Sequence, residues 1–323
     1  MSRAAATSHL SIVPADPGPE IVTVSEVMLD AIADADRHAS RDYPVLIVGE
    51  TGTGKELIAR RIHARSGRRG ALVPVNCAEL RPDQAANLLF GHKRGSYTGA
   101  TESTIGHVRR STRGTLFLDE ITSLPAETQP MLLRVLETGE VTPFGADRVV
   151  QVDLRVVAAA QPAIRQLLAS GEARLDLFER LAVSTVVLPP LRDRLNDVVP
   201  LAVAFARQMG FQMDPMALPR LLDHSWPGNV RELKSVIARA VAHCGGASIG
   251  VVEMAKAMRD NFVAPIELED YSRRVEERER LRALCVEGAG DWRRIVHLAG
   301  VSRAKLYRQL QKHGLQLRHF RHS

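Results

Sequence analysis

Two short stretches carry the residues best suited to chemistry. The first, GETGTGKE at Gly49–Glu56, spaces Gly49, Gly54 and Lys55 in a G-x-x-x-x-G-K frame. With Gly52 between them, these glycines let the backbone N–H groups of Glu50, Thr51 and Thr53 curl round phosphate oxygens at the positive end of a helix. The Lys55 ammonium would then reach the β- and γ-phosphates of a nucleotide. Glu56 stands where a Mg²⁺-binding Ser or Thr is usual. Such a frame can arise by chance when it stands alone. The second stretch, Asp119-Glu120, ends the apolar run TLFLDE about sixty residues on. Asp119 there can organise Mg²⁺ through water, and Glu120 can polarise an attacking water as a base. An Asp-Glu pair can also cap a helix. Loop, strand and acidic pair in this order point to an ATP site with Mg²⁺. The glutamate points to hydrolysis rather than passive binding.

Between the two lies GHKRGSYTGA, residues 91–100. It is too irregular for a strand and too rich in glycine for a stable helix. It reads as a basic loop with an aromatic tip.

The surrounding pattern supplies the elements that must position these groups. Apolar positions from Val22 to Ala35 predict a helix. Strands are predicted at Tyr43–Gly49, Ala71–Asn76, Thr115–Glu120 and Leu154–Ala160. Helices are predicted at Lys55–Ser66, around Gln129–Leu136 and at Ala163–Ala169. Continuous apolar strands with helical crossovers predict an α/β fold, a parallel sheet covered on both faces. After LPPLRDR (188–194) the pattern is helical only, through about Asn261, with a break at WPGN (226–229). This divides the chain into a flexible N-terminal tail (1–21), an α/β subdomain (22–190), a helical lid (191–261), a linker (262–272) and a C-terminal module (273–323).

That module is basic. From Tyr271 to Ser323 there are thirteen Lys/Arg against five Asp/Glu, an excess of eight, which leaves the other 270 residues at −2 within a net charge of +6. A solubilising tail would have such a charge, and so would a nucleic-acid module. DWRRIVHLAGVSRAKLYRQLQKHGL (291–315) splits into two helices around AGVS. Ile295, Val296 and Leu298 face inward in this reading, Gly300 permits the turn, and Ser302 caps the next helix. Leu306 and Leu310 anchor that helix, and Arg303, Lys305, Arg308 and Lys312 lie mostly outside the seam. Tyr307 can touch phosphate or pack. The pattern is a helix-turn-helix whose second helix could enter a major groove. Tyr271–Gly288 could pair two copies.

No run of about 18 apolar residues exists, so no membrane span is expected. No signal peptide is read at the N-terminus. Cys77, Cys244 and Cys285 are far apart and lack metal-ligand spacing, as expected of reduced thiols in a cytosolic protein.

In their order, GETGTGKE, GSYTGA, TLFLDE, LPPLRDR and WPGNVREL resemble the AAA+ domain of bacterial enhancer-binding proteins, the ATP-driven activators of sigma-54 RNA polymerase. The resemblance runs from about Val22 to the C-terminus, and its last part is similar to the Fis-type helix-turn-helix domain of the same activators. It implies an AAA+ P-loop ATPase with a helical lid. Gly49–Glu56 would be Walker A, and Asp119 and Glu120 Walker B. Asn76 would hold Glu120 until ATP is in place, although by itself it reads as a strand-end turn residue. Arg174 and Arg180 would be arginine fingers serving a neighbouring subunit, and Arg231 the lid's sensor arginine. Gly95, Ser96, Tyr97, Thr98, Gly99 and Ala100 would contact sigma-54. Ser302, Arg303, Lys305, Leu306, Tyr307 and Arg308 would meet DNA.

The implied partners are sigma-54 RNA polymerase holoenzyme, double-stranded enhancer DNA, and further copies in a dimer and a hexameric ring that could include a paralogous subunit. The implied location is the bacterial cytoplasm, at the nucleoid. Departures from the family pattern are Ser96 and Tyr97 for Ala and Phe, Lys93 for an acidic residue, and Ala160-Gln161 for Thr-Asn. About 24 residues precede the AAA+ part, so regulation is expected from a separate binding protein, a co-activator subunit or expression level. Tyr97 and the Ala-Gln ending look more like the type III secretion (pathogenicity) activators. The alternative reading is a nucleotide-switched DNA-binding regulator that acts without remodelling sigma-54.

Overall fold

The computed structural model describes residues 12–13, 20–96, 102–170, 173–261, 280–281, 283–289, 291–312 and 317. The chain divides into two compact units, 1–263 and 264–323.

In the first unit, α1 (Glu26–Ala39) leads to β1 (Val45–Val48), the Gly49–Gly54 turn and α2 (Lys55–Arg65). Then come β2 (Leu72–Asn76), α3 (Pro82–Phe90), a hairpin of β3 (Gly91–His92) and β4 (Thr104–Ile105), and α4 (His107–Arg110). β5 (Thr115–Asp119) and α5 (Gln129–Thr138) precede a second hairpin, β6 (Glu140–Val141) and β7 (Val150–Gln151). β8 (Arg155–Ala160), α6 (Ile164–Ser170), α7 (Leu175–Leu181) and β9 (Ser184–Val187) complete the α/β part.

Five strands form one parallel sheet in the order β9-β1-β8-β5-β2. Alternation along each strand feeds two cores. Val156, Ala158 and Ala160 of β8 face one core with Leu116 and Leu118, while Val157 and Ala159 face the other with Ile47 and Phe117. Both faces being covered, the central strands are apolar throughout. β2 lies at an edge, where Pro74 costs no ladder hydrogen bond on its open side. At the opposite edge β9 alternates buried and exposed residues, and so short a half-exposed run has no clear pattern in the sequence; neither β9 nor α3 is predicted from the sequence.

Two boundaries move. The first helix begins at Glu26, not Val22, because Ile21–Val22 pairs antiparallel with Ile12–Val13. A strand pair thus replaces part of the expected loose tail. Ser25 and Thr23 then turn the chain into α1 around a buried carboxylate, Asp197.

The lid holds α8 (Val198–Gln208), α9 (Asn229–Ala242) and α10 (Val251–Arg259), with a helical turn at Pro219–Leu222. It is not purely helical, since Gln212–Met213 pairs in parallel with Ser248–Ile249. Its core centres on Trp226, fully buried, whose indole N–H donates to the Leu221 carbonyl at 3.0 Å. A buried indole needs that acceptor.

In the second unit, residues 280–281 and 283–287 are helical, followed by α11 (Trp292–Ala299) and α12 (Arg303–Lys312). Asp291 caps α11 through the Arg293 N–H, and Gly300 ends it at φ +61°. The residue at that turn must be left-handed, which favours glycine. Leu281, Cys285, Ile295, Leu306, Leu310 and Leu317 form the core. Leu298 does not join it and is 44% exposed, correcting its expected inward position. The expected linker lies outside the described residues, as does most of the expected pairing helix.

Candidate functional site

The Gly49–Gly54 turn joins the C-terminal end of β1 to the start of α2, where ligands bind in open parallel sheets. Gly52 and Gly54 have φ of +80° and +107°. At Gly52 a side chain is also excluded by space, since a Cβ would come within 2.4 Å of the Gly228 carbonyl oxygen. Lys55 is buried and donates to the carbonyls of Gly49 (2.8 Å) and Glu50 (3.1 Å). Burial lowers its pKa, and the carboxylates of Asp119 and Glu120 oppose that. The lysine and the acidic pair therefore share one electrostatic site. Thr53 is buried and its hydroxyl donates to the Glu50 carbonyl at 2.8 Å. Glu56 stands apart from the turn, pairing with Arg60 one helical turn on, at 2.6 Å, and roughly half exposed.

Asp119 ends β5 and lies opposite Asn76, the last residue of β2. Its carboxylate accepts from the Glu120 N–H at 2.9 Å. Glu120 is left-handed, φ +51° and ψ +45°, a conformation costing a non-glycine residue about 1–2 kcal/mol. Strain of this kind is characteristic of functional positions. Cys77 beside them has its thiol pushed up to about 12, by burial and then by the Asp119 and Glu120 charges. It is inert as a nucleophile near neutrality.

Asn76 corrects one expectation. Its amide donates to Glu79 at 2.8 Å, and its oxygen accepts the Ala78 N–H at 3.1 Å. The glutamate it holds here is Glu79, not Glu120, because the chain turns into a short 3-10 helix that brings Glu79 within reach. Ala160 is buried at the end of β8 and its carbonyl accepts from the Gly49 N–H, while Gln161 is exposed.

Arg174 and Arg180 lie at the start and end of α7, both well exposed. Arg174 pairs with Asp176 at 2.6 Å, and Arg180 faces Glu137 at 3.6 Å.

The lid closes on the phosphate turn through residues that sequence reasoning missed. The Val230 N–H donates to the Gly52 carbonyl at 3.0 Å. Asn229 donates to the Thr51 carbonyl at 3.0 Å and to the Glu50 carboxylate at 3.2 Å, and accepts from the Leu191 N–H at 2.7 Å. Arg192 grips the Glu50 carboxylate with both terminal nitrogens, one at 2.7 Å. Buried Arg194 donates to the Thr53 carbonyl at 2.9 Å. Arg231 stands beside this contact, close enough to lower the Lys55 pKa by repulsion. One clue was available, since Asn229 follows a glycine and is left-handed at φ +55°, a conformation asparagine tolerates better than most.

Burial raises the Glu50 pKa, but the Arg192 bonds and charge with the Asn229 bond outweigh it, and the net shift is down from 4.5. A depressed carboxylate pKa stabilises the fold fully above the unfolded value, and that contribution is lost as pH falls through the folded value. The melting temperature of Glu50→Gln is therefore expected to lie below wild type at pH 7, with the gap closing as pH falls below about 4.5. A gap independent of pH would count against the charged latch.

The basic loop sits on the β3–β4 hairpin. Gly91 is left-handed at φ +85°, and a Cβ there would meet the Thr104 carbonyl at 2.5 Å. The tip of the second hairpin binds this stem, with Phe144 N–H to the Gly91 carbonyl and Lys93 N–H to the Phe144 carbonyl, both 2.9 Å. Gly95 is exposed and Ser96 half-buried. Tyr97, Thr98, Gly99 and Ala100 lie outside the described residues.

In the second unit Ser302 accepts the Lys305 N–H at 3.3 Å, and Lys305 is exposed. Arg303 lies 4.4 Å from the Trp292 ring centre and 5.7 Å from that of Tyr307. Leu306 is fully buried. It belongs to the core and cannot meet DNA, because the helix turns its apolar stripe inward. The side chain of Arg308 lies outside the described residues.

A family model described as the sigma-54 interaction domain matches residues 21–187, and one described as an AAA+ ATPase lid domain matches residues 192–265. The chain is 44% identical over 239 residues to the nitric oxide reductase transcription regulator NorR1 of Cupriavidus necator, which is 72% of this chain and 46% of NorR1. It is 38% identical over 313 residues to the regulatory protein AtoC of Escherichia coli, 91% of this chain and 68% of AtoC. The chain thus spans less than half the length of the first and about two thirds of the second. The structure of NtrX from Brucella abortus in complex with ATP is similar at a TM-score of 0.68 and 30% identity, covering 93% of this chain and 71% of NtrX.

Proposed function

The chain belongs to the sigma-54 interaction family of AAA+ ATPases, and on that premise we propose that it hydrolyses ATP to activate sigma-54-dependent transcription. The observation that carries this reading is that Lys55, on the turn after β1, stands within electrostatic reach of Asp119 and Glu120, beneath a lid tied to the same turn.

The residues fit ATP and Mg²⁺. The Lys55 ammonium rests on turn carbonyls that phosphate oxygens can replace as its partners. Among the described residues no cluster of three His, Cys, Asp or Glu could hold a metal alone, so Mg²⁺ would be shared between the phosphates and Asp119, as is usual for this ion. When bound, it neutralises charge on the transferring phosphate. Backbone amides of the turn hold the phosphates, Glu120 accepts a proton from the attacking water, and Arg231 senses the nucleotide from the lid. Arg174 and Arg180, exposed on α7, serve a neighbouring subunit's site, which makes hydrolysis depend on assembly into a hexameric ring. The loop bearing Tyr97 then contacts sigma-54 and opens the closed promoter complex. Arg303, Lys305 and Tyr307 place the ring on enhancer DNA. The site of action is the bacterial cytoplasm.

The test is open-complex formation with sigma-54 polymerase. Tyr97→Ala is expected to lower the yield at least about tenfold, as for an aromatic anchor at an interface. Equal yields from both proteins would refute the role of the loop.

A further inference from the structure

Beside the stem of the basic loop lies a cleft of about 270 Å³, walled by β3, β4, α4 and the second hairpin. Lys93, Arg109 and Arg148 line it, and among the described residues no Asp or Glu does. Among the described residues no ion pair neutralises these three cations. Glu102 and Asp147 flank the lining segments and stay outside the cleft. Its floor and rim are mixed: Pro143 and Val150 line it, and Ile105, 52% exposed, forms part of its wall. Phe144 and Val149, in the same hairpin loop, are 47% and 46% exposed. Three clustered cations with no countercharge repel one another, and an anionic ligand would remove that cost.

We propose that this cleft is a docking site for an acidic, apolar segment of the protein that the loop engages, taking a carboxylate between Lys93 and Arg148 and an apolar side chain against Ile105. The inference rests on the reading that the Tyr97 loop contacts sigma-54. The observations favour a peptide over a DNA backbone, because the cations lie in a concavity with apolar walls, whereas phosphate tracks suit open basic surfaces.

The experiment places a photo-crosslinking benzoyl-phenylalanine at Ile105 or, separately, at Tyr97 in the full chain, mixed with sigma-54 and promoter DNA. Cross-linking from position 105 to an acidic stretch of sigma-54 is expected. The double variant Lys93→Glu and Arg148→Glu is expected to bind sigma-54 at least about tenfold more weakly. Should that variant be unstable, Lys93→Gln with Arg148→Gln reads the same cleft, with a loss of about threefold. Cross-links from 105 to DNA would overturn the proposal in favour of a phosphate track. Cross-links from 97 alone, or wild-type affinity in both double variants, would overturn the cleft and leave the loop's role standing. Silence from both positions would overturn the functional reading and the cleft with it.

Discussion

Glu120→Gln is expected to lower the turnover of ATP hydrolysis by about 10²–10⁴-fold, the range for removing a general base. Nucleotide affinity should persist, because the proposed site holds the phosphates through Lys55 and the turn amides rather than through Glu120. Phosphate release and equilibrium binding of a fluorescent nucleotide read the two effects separately. A second variant separates chemistry from conformation. Glu120 is left-handed, and glycine adopts that region freely. Glu120→Gly should therefore lose hydrolysis as fully as Glu120→Gln while the fold is no less stable. If Glu120→Gln hydrolysed ATP at the wild-type rate, the base would have to be another group.

Asp197→Ala is expected to destabilise the first unit by about 3–5 kcal/mol, the range for stripping one partner from a buried ion pair. Asp197 is fully buried. It accepts the N–H groups of Val24 (2.7 Å) and Ser25 (3.0 Å) and the Thr23 hydroxyl at 2.8–2.9 Å. Arg194 lies 3.6 Å away, also buried. Burial lowers the Arg194 pKa, and the Asp197 charge and hydrogen bond oppose this. Removing the carboxylate would orphan the Val24 N–H and the Thr23 hydroxyl, leave the Ser25 N–H with only the Thr23 oxygen, and strip a buried guanidinium of its countercharge. Because Arg194 also holds the Thr53 carbonyl, the loss should extend to the phosphate turn. Urea unfolding of the wild type, Asp197→Ala and the exposed-pair control Arg60→Ala measures this. The control should lose no more than about 1 kcal/mol. A similar small loss for Asp197→Ala would show that the knot contributes little.

The contrast between Lys55 and Asp197 shows what was legible in the sequence. The Gly49–Lys55 spacing, the apolar runs of β1, β2, β5 and β8, and Asp119-Glu120 at a strand end are local signals. Each is written within ten residues, and backbone geometry gives each a nearly unique reading. So the parallel sheet, its phosphate turn and its acidic pair followed from sequence. The Gly300 turn and the Ser302 cap of the second unit followed for the same reason.

Long-range polar contacts leave no such mark. Glu50 meets Arg192 across 142 residues, and Asp197 meets Thr23 across 174. No periodicity relates these partners, and only the packing of the lid against the α/β core brings them together. The tertiary structure likewise decided choices between local readings. Asn76 took Glu79 because a 3-10 turn brought it nearer, Leu306 turned inward because the helices of its unit needed an apolar seam, and Glu56 stayed on the solvent side of α2 with Arg60. The sequence alone thus determined which groups could do chemistry and where on the sheet they stand. The fold decided what holds them there, because hydrogen bonds and buried charges depend on distance in space and not on separation along the chain.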